Sequence, residues 1–449
     1  MLRRFLGLLA LVSLSTTGSA AVVLADPIAA IDRDIRPYAD TRNFSGAVLV
    51  ARGGKSVFGK AYGFADREKG ILNQLGTRFY VASMSMQFTA AAALRLINAG
   101  KLELDTSVSA VVPDYPNGQN ITIRHLLTQT SGIANINDQP DYNEVLKQAQ
   151  TPLSLVNRVR DLPPKRPPGT YEREEHSAYN LLALIIERKA GVPFAQAVRR
   201  LVFQPLGMND SGIDDDRTPR RSVAIGYQPK GVYEIEPAPV IHWSAKTGNA
   251  SAYTTVGDEL KFVEGLFNPR FLRPNLRETM FDLGARVGYG WFKSDSKRFG
   301  QPVYSMNGRA PGFASAVVYV PEERLFVAAF SNIYASVPAD MVSDIAALVL
   351  GKEREPASLQ TRVAPESLAG LPARFQFSPD FYQPSAVVRV SETNGEVSLQ
   401  WPGGVISALI PVNRDRFIDR SYWVPVELIR DGSGKILALK YDRFTGQFL

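Results

Sequence analysis

The stretch from Phe79 to Leu94 constrains the fold more than any other. An apolar run, Phe79-Tyr80-Val81-Ala82, breaks at Ser83-Met84-Ser85-Met86 and continues as Gln87-Phe88-Thr89-Ala90-Ala91-Ala92-Ala93-Leu94, a helix-forming sequence. Read alone, Ser83 is a helix N-cap, since serine is among the residues preferred there. Its chemistry raises a second question. A serine hydroxyl is a poor nucleophile at neutral pH until a neighbouring group takes its proton, and a lysine three residues along the helix would project from the same face and do so. Met86 holds that place, and a thioether neither accepts a proton usefully nor carries charge.

Further landmarks follow in order. Phe44-Ser45-Gly46-Ala47-Val48-Leu49-Val50-Ala51, Gly54-Lys55 and Ala61-Tyr62-Gly63-Phe64-Ala65-Asp66 precede the serine. Gly100-Lys101-Leu102-Glu103-Leu104-Asp105, Ile123-Arg124-His125-Leu126-Leu127-Thr128-Gln129-Thr130-Ser131-Gly132, Ala252-Tyr253-Thr254-Thr255-Val256-Gly257-Asp258 and Pro311-Gly312-Phe313-Ala314-Ser315 come after it. This series resembles the serine β-lactamase and penicillin-binding protein family, in particular its class C β-lactamase-related branch, with Ser83 opening a Ser-x-x-Lys motif that lacks its lysine. Several landmarks in order are far more specific than one short motif. The resemblance implies an α/β (α+β) fold, an antiparallel sheet flanked by helices with an all-helical subdomain.

The family's second motif is Tyr-x-Asn, following a Pro-Gly and preceding a helix start. Aligning Tyr179-Asn180-Leu181-Leu182 with that start puts Glu174 at the tyrosine position and His176 at the asparagine position, while Tyr171 lies three residues early. The third motif, Lys-Thr-Gly or His-Ser/Thr-Gly, should precede Pro311-Gly312-Phe313. Met306-Asn307-Gly308 stands there instead. A literal Lys246-Thr247-Gly248 occurs upstream, where the family has a loop rather than the motif's strand. The oxyanion hole implied by the resemblance uses the backbone N–H groups of Ser83 and Arg309, which do not depend on side-chain identity. Such donors are worth roughly 10²–10³ in rate, and a positioned general base roughly 10²–10⁴.

Glu172, Glu174, Glu175 and His176 form a charged run of the kind that usually covers a solvated surface. The sharper reading places Glu174 beside Ser83, where a carboxylate raised in pKa by burial acts as general base, assisted by His176. Of the other histidines, His125 belongs to a structural landmark, and His242 is remote in sequence from this run. Adjacent loop residues point in different directions, so neither a metal site nor any cofactor is assigned.

Met1-Leu2-Arg3-Arg4 followed by Phe5-Leu6-Gly7-Leu8-Leu9-Ala10-Leu11-Val12 reads as an export signal, residues 1–25, with cleavage after Ala20 or Ala25. The apolar run falls well short of the roughly 20 residues that cross a bilayer, so no transmembrane anchor is expected and the destination is periplasmic or secreted. The chain has no cysteine, which excludes disulfides, a lipoprotein anchor and cysteine-ligated metals. Net charge is +7, or +5 without Arg3 and Arg4, but basic residues are scattered among acidic ones and nucleic-acid binding is not indicated.

Residues 27–352 read as one α/β unit, with strands near Gly46-Val50, Val57-Ala61, Ala314-Tyr319 and Leu325-Ser331. Helices are expected after Ser83, at Ile123-Thr128, from Tyr179 to Ala190 and at Asp340-Leu350. Residues 353–365 read as a linker. Residues 366–449 form a small β-rich domain, its short alternating runs at Val387, Val397, Ile406, Val424 and Ile436 divided by Asn394-Gly395, Pro402-Gly403-Gly404 and Asp431-Gly432-Ser433-Gly434. Trp401, Tyr422 and Trp423 there either line a ligand surface or, as the default for such aromatics, are buried or half-buried.

Two functions fit these residues. One is an exported, catalytically impaired member of the family that binds a small-molecule, peptide, ester or cell-wall-type ligand through Ser83, Met86, Tyr171, Met306, Asn307, Gly308 and Arg309. The other is a rewired serine hydrolase or acyltransferase using Ser83 with Glu174 or His176 as base.

Overall fold

The computed structural model describes residues 27–171, 175–215, 222–230, 234–281, 287–294, 298–353 and 370–449. The expected export signal, the part of the expected linker beyond Glu353 and the candidate base Glu174 lie outside the described residues.

Seven antiparallel strands form the main sheet, in the order Val287–Gly288, Trp291–Ser294, Val303–Ala310, Phe313–Val320, Leu325–Ser331, Gly46–Arg52 and Lys55–Tyr62. Gly46 pairs with Ser331 and Arg52 with Leu325, so the first strand of the chain lies beside the last of the domain. The two-residue period of a strand sorts the side chains between two cores. Ala47, Leu49, Val317, Phe326 and Phe330 face the helical side, whereas Val48, Val50, Val318, Val327 and Ala329 face the helices Pro27–Asp40 and Pro338–Val349. The central strands are therefore buried on both faces, which accounts for their unbroken apolar sequence.

On the first side pack the helices Ser85–Asn98 and His176–Ala190. The second begins three residues before Tyr179, the predicted start, and ends at Gly191, whose φ of 67° is the left-handed conformation of a helix C-terminus. His125 is structural, as expected. Its Nδ1 accepts from Thr122 N–H at 3.2 Å, and its own N–H donates to Thr122 Oγ1, a reciprocal cap for Ile123–Leu127.

The C-terminal region is a closed eight-stranded barrel. Five strands coincide with the predicted runs; Ala373–Gln376, Arg416–Asp419 and Phe444–Phe448 were not foreseen, and Phe375 pairing with Phe448 closes the ring. Asn394-Gly395, both at positive φ, make the two-residue hairpin turn that their sequence suggests. Trp401 is buried and Trp423 half-buried, but Tyr422 is exposed, contrary to expectation.

The turn Asp419–Trp423 docks the barrel. The Trp423 ring stacks on Tyr38 at 4.4 Å between centroids. Arg420 is fully buried and donates to the Glu234 carbonyl at 3.1 Å and the Arg42 carbonyl at 2.8 Å. Removing a charged donor leaves both carbonyls without that partner, at a cost of about 1.5–3 kcal/mol for such a bond. Arg420→Met is expected to lower the unfolding free energy of the barrel by about that amount, with a smaller effect on the main sheet. Far-UV circular dichroism at the helical minimum follows the larger domain, because the helices lie there and the described barrel is all strand, and fluorescence of the variant with Trp243 and Trp291 replaced by Phe would follow the barrel.

Candidate functional site

Ser83 sits in the single 3-10 turn Ala82–Met84 between the short strand Phe79–Tyr80 and the helix Ser85–Asn98. Ala82 has φ of 48°, a left-handed conformation that is costly for a residue with a Cβ. Surrounding bonds hold it. Val81 N–H donates to the Ala252 carbonyl at 3.0 Å, Ser315 Oγ donates to the Val81 carbonyl at 2.7 Å, and Ala252 N–H donates to Ser85 Oγ at 2.9 Å. Tyr80 lies stacked on Trp243 at 3.7 Å. Ser85 is thus committed to the backbone, while Ser83 is half-buried and its hydroxyl has no hydrogen-bond partner among the described residues.

The strand Val303–Ala310 runs alongside this turn. Its neighbour Trp291–Ser294 pairs only with Val303, Tyr304 and Ser305, so residues 306–310 present an edge that no described strand pairs. Met306 and Gly308 face inward and are buried, whereas Asn307 and Arg309 face outward. A Cβ on Gly308 would lie 2.3 Å from the Val81 carbonyl oxygen and 2.7 Å from Ser83 N, so only glycine lets the strand approach the serine amide. The Arg309 side chain turns away and donates to the carbonyls of Ser336 at 3.0 Å and Ser421 at 3.3 Å.

Met86 and Met306 are both almost wholly buried and belong to one contiguous apolar core. Lys246-Thr247-Gly248 lies on and just after the 3-10 turn Trp243–Lys246, off the sheet, as the family's loop at that place implies.

At the second motif, Tyr171 is half-buried at the edge of a described segment. His176 is the first residue of its helix, and its Nδ1 is hydrogen-bonded to the Asn137 side-chain amide at 3.1 Å. Glu175 is not part of a solvated charged face. It is buried, and its two carboxylate oxygens accept from the N–H groups of Ser131 at 3.1 Å and Gly132 at 2.7 Å, while its own N–H donates to Gln129. These bonds fix the Thr130-Ser131-Gly132 landmark against the helix start. Ser177 accepts from Ile136 N–H and Asn180 donates to the Thr247 carbonyl, so the first turns of this helix are polar for structural reasons.

Two ionisable groups have environments that the sequence reading did not foresee, although Lys246 was read there as part of a literal Lys-Thr-Gly. Lys246 Nζ donates to Tyr142 Oη at 2.8 Å, and burial pushes its pKa down to about 8. Glu259, behind the serine helix, accepts from Gln87 Nε2 at 2.7 Å, and burial pushes its carboxyl up to about 8. Glu259 belongs to no local motif, and the motif that contains Lys246 gives no sign of its desolvation.

The family model described as Beta-lactamase matches residues 31–352. A putative penicillin-binding protein, PbpX of Bacillus subtilis (strain 168), is 30% identical over 332 residues, covering 73% of this chain and 81% of that protein. Esterase EstB of Burkholderia gladioli is 31% identical over 293 residues, 56% of this chain and 74% of its own. The structure of an octameric penicillin-binding protein homologue from Pyrococcus abyssi superposes with a TM-score of 0.66 at 21% identity, covering 93% of this chain and 99% of that one, which shows a shared fold.

Glu259 supplies a test of the packing behind Ser83. Its folded pKa lies above the ordinary 4.5, so the stability held by the neutral carboxyl is complete below pH 4.5 and is lost as pH rises through about 8. Glu259→Gln should flatten that decline. Unfolding free energies from urea titrations across this interval should show the wild type losing stability relative to the variant, on the order of a few kcal/mol.

Proposed function

Because the chain belongs to the β-lactamase family, a serine-hydrolase fold shared with penicillin-binding proteins and esterases, we propose that it is an exported carbonyl-binding member whose own chemistry is impaired. The supporting observation is the pair of buried methionines. Met86 and Met306 stand where the family's motifs carry the base beside the serine and the cation on the flanking strand, and Ser83 has no described partner to take its proton. The backbone geometry for holding a carbonyl survives in the amides of Ser83 and Arg309, beside the glycine that lets their strands meet. The ligand class is a peptide, ester or cell-wall-type fragment. The N-terminal 25 residues serve as a leader and are absent from the mature protein in the periplasm or outside the cell.

One observation favours the second reading, a rewired hydrolase or acyltransferase. The strained Ala82 is retained, at a cost of order 1–3 kcal/mol, and such strain tends to persist where a nucleophile is displayed. Glu174 and His176 are then the candidate bases. The similarity to an esterase supports ester substrates for that case.

Intact mass after incubation with a fluorophosphonate and, separately, a penicillin decides between the two, with Ser83→Ala as control. The impaired reading expects no adduct from either reagent in folded protein. An adduct mapped to Ser83 and absent from the control would overturn it and direct the search to Glu174 and His176. Met86→Lys alone is expected to leave β-lactam and ester hydrolysis within about tenfold of the parent, although a working base is worth roughly 10²–10⁴. A thousandfold gain would show that only one group is missing.

A further inference from the structure

Lys246 is unlike the other paired lysines of this domain. Lys60 meets Asp32 at 2.7 Å, Lys69 meets Asp66 at 2.8 Å and Lys261 meets Asp258 at 2.6 Å. Lys246 is half-buried beside an apolar cluster that includes Ala134, Ile136 and Ala245, and no carboxylate pairs with it among the described residues. Its polar partner is the hydroxyl of Tyr142, whose ring also lies 5.3 Å from Nζ. A desolvated cation without a counter-charge is costly, and an anion brought by a ligand removes the cost.

The charged groups on the neighbouring elements are committed elsewhere. On the turn Ile136–Asp138, Asp138 pairs with Lys165; at the start of the helix Tyr142–Val145, Asp141 pairs with Arg158 and Glu144 with Lys147. His176 on its helix is bonded to Asn137, and His242 precedes the turn that carries Lys246. The donors are complementary to a carboxylate. An ammonium has three N–H bonds, of which Tyr142 takes one, and Tyr142, its phenol pushed up by burial, keeps a proton to give.

The place is tied to the candidate site. Trp243 of the same turn stacks on Tyr80, three residues before Ser83, and Thr247 is held by Asn180, one turn along the helix from His176. We propose that Lys246 and Tyr142 form an anion-accepting subsite that takes a carboxylate of the ligand on the His176 side of Ser83. The inference builds on the ligand-binding reading above, but its test does not require a reactive serine.

The probe is phenylacetate, with phenylacetamide as its neutral counterpart, titrated calorimetrically into the full chain. Phenylacetate should bind at least about tenfold more tightly at neutral pH, a difference of about 1.4 kcal/mol. The preference should persist in Ser83→Ala and Lys246→Arg and shrink to about twofold or less in Lys246→Met. It should weaken as pH rises through about 8, where the free amine loses its proton. Equal or undetectable binding of the two probes would overturn the proposal, as would a preference that survives in folded Lys246→Met. So would a Lys246 pKa near the ordinary 10.5 in the free protein by NMR, because the lysine would then already have a counter-ion. Loss of the preference in Ser83→Ala would also count against it, whereas failure of Ser83 to label bears only on the serine's reactivity.

Discussion

The close approach of Gly308 to the amide of Ser83 is the contact on which the rest of the site depends. It joins the strand Val303–Ala310, beyond the reach of its shorter neighbour, to the turn that starts the serine helix, and it leaves no room for a side chain between them. Around it the backbone is fixed from three directions, by Ser315 on the next strand, by Ala252 on a separate short strand and by Trp243 stacked on Tyr80. Each is an interaction between residues far apart in sequence. The strained φ of Ala82 persists because these contacts over-determine it.

Beside that backbone geometry, the walls are apolar. A lysine beneath Ser83 would require hydrogen-bond partners and counter-charges in the surrounding core, whereas a methionine needs only volume. Met86 and Met306 extend the main hydrophobic core to the serine, and Ser85 is tied to the Ala252 amide. Shape for a carbonyl and the means to activate a hydroxyl are thus separable properties of this fold. The first resides in the main chain, which holds its geometry here with methionines at 86 and 306, and the second in side chains.

Much of this was legible in the sequence, because its signals are local or ordered. Strand and helix periods placed the sheet and its flanking helices, and the spacing before Pro311-Gly312-Phe313 placed Met306-Asn307-Gly308 on the strand beside Ser83. The failures have a common cause. Glu175 sat in a charged run that resembles a solvated surface, yet it is buried by two amides more than forty residues away in sequence. The barrel strands Ala373–Gln376 and Arg416–Asp419 are four residues each, too short for alternation to stand out from turns. Lys246 could be recognised as being off the motif's strand, but its isolation from any carboxylate depends on which elements pack around it.

The barrel bears on the site through its outer turn. Phe375, Phe377, Val388, Leu399, Trp401, Phe417 and Tyr441 contribute to its own core, consistent with an eight-stranded ring whose interior side chains can fill. Its contact with the larger domain runs through the turn that carries Arg420 and Trp423, and the Ser421 carbonyl in that turn accepts from Arg309. Arg309 follows Gly308 directly, so one residue has its backbone beside the serine turn and its side chain on the barrel. A displacement of the docking turn would pull on the strand at the place where it has no outer neighbour to resist, among the described residues, and where Gly308 lies against the serine turn. The barrel therefore belongs mechanically to the site even though it contributes no described side chain beside Ser83.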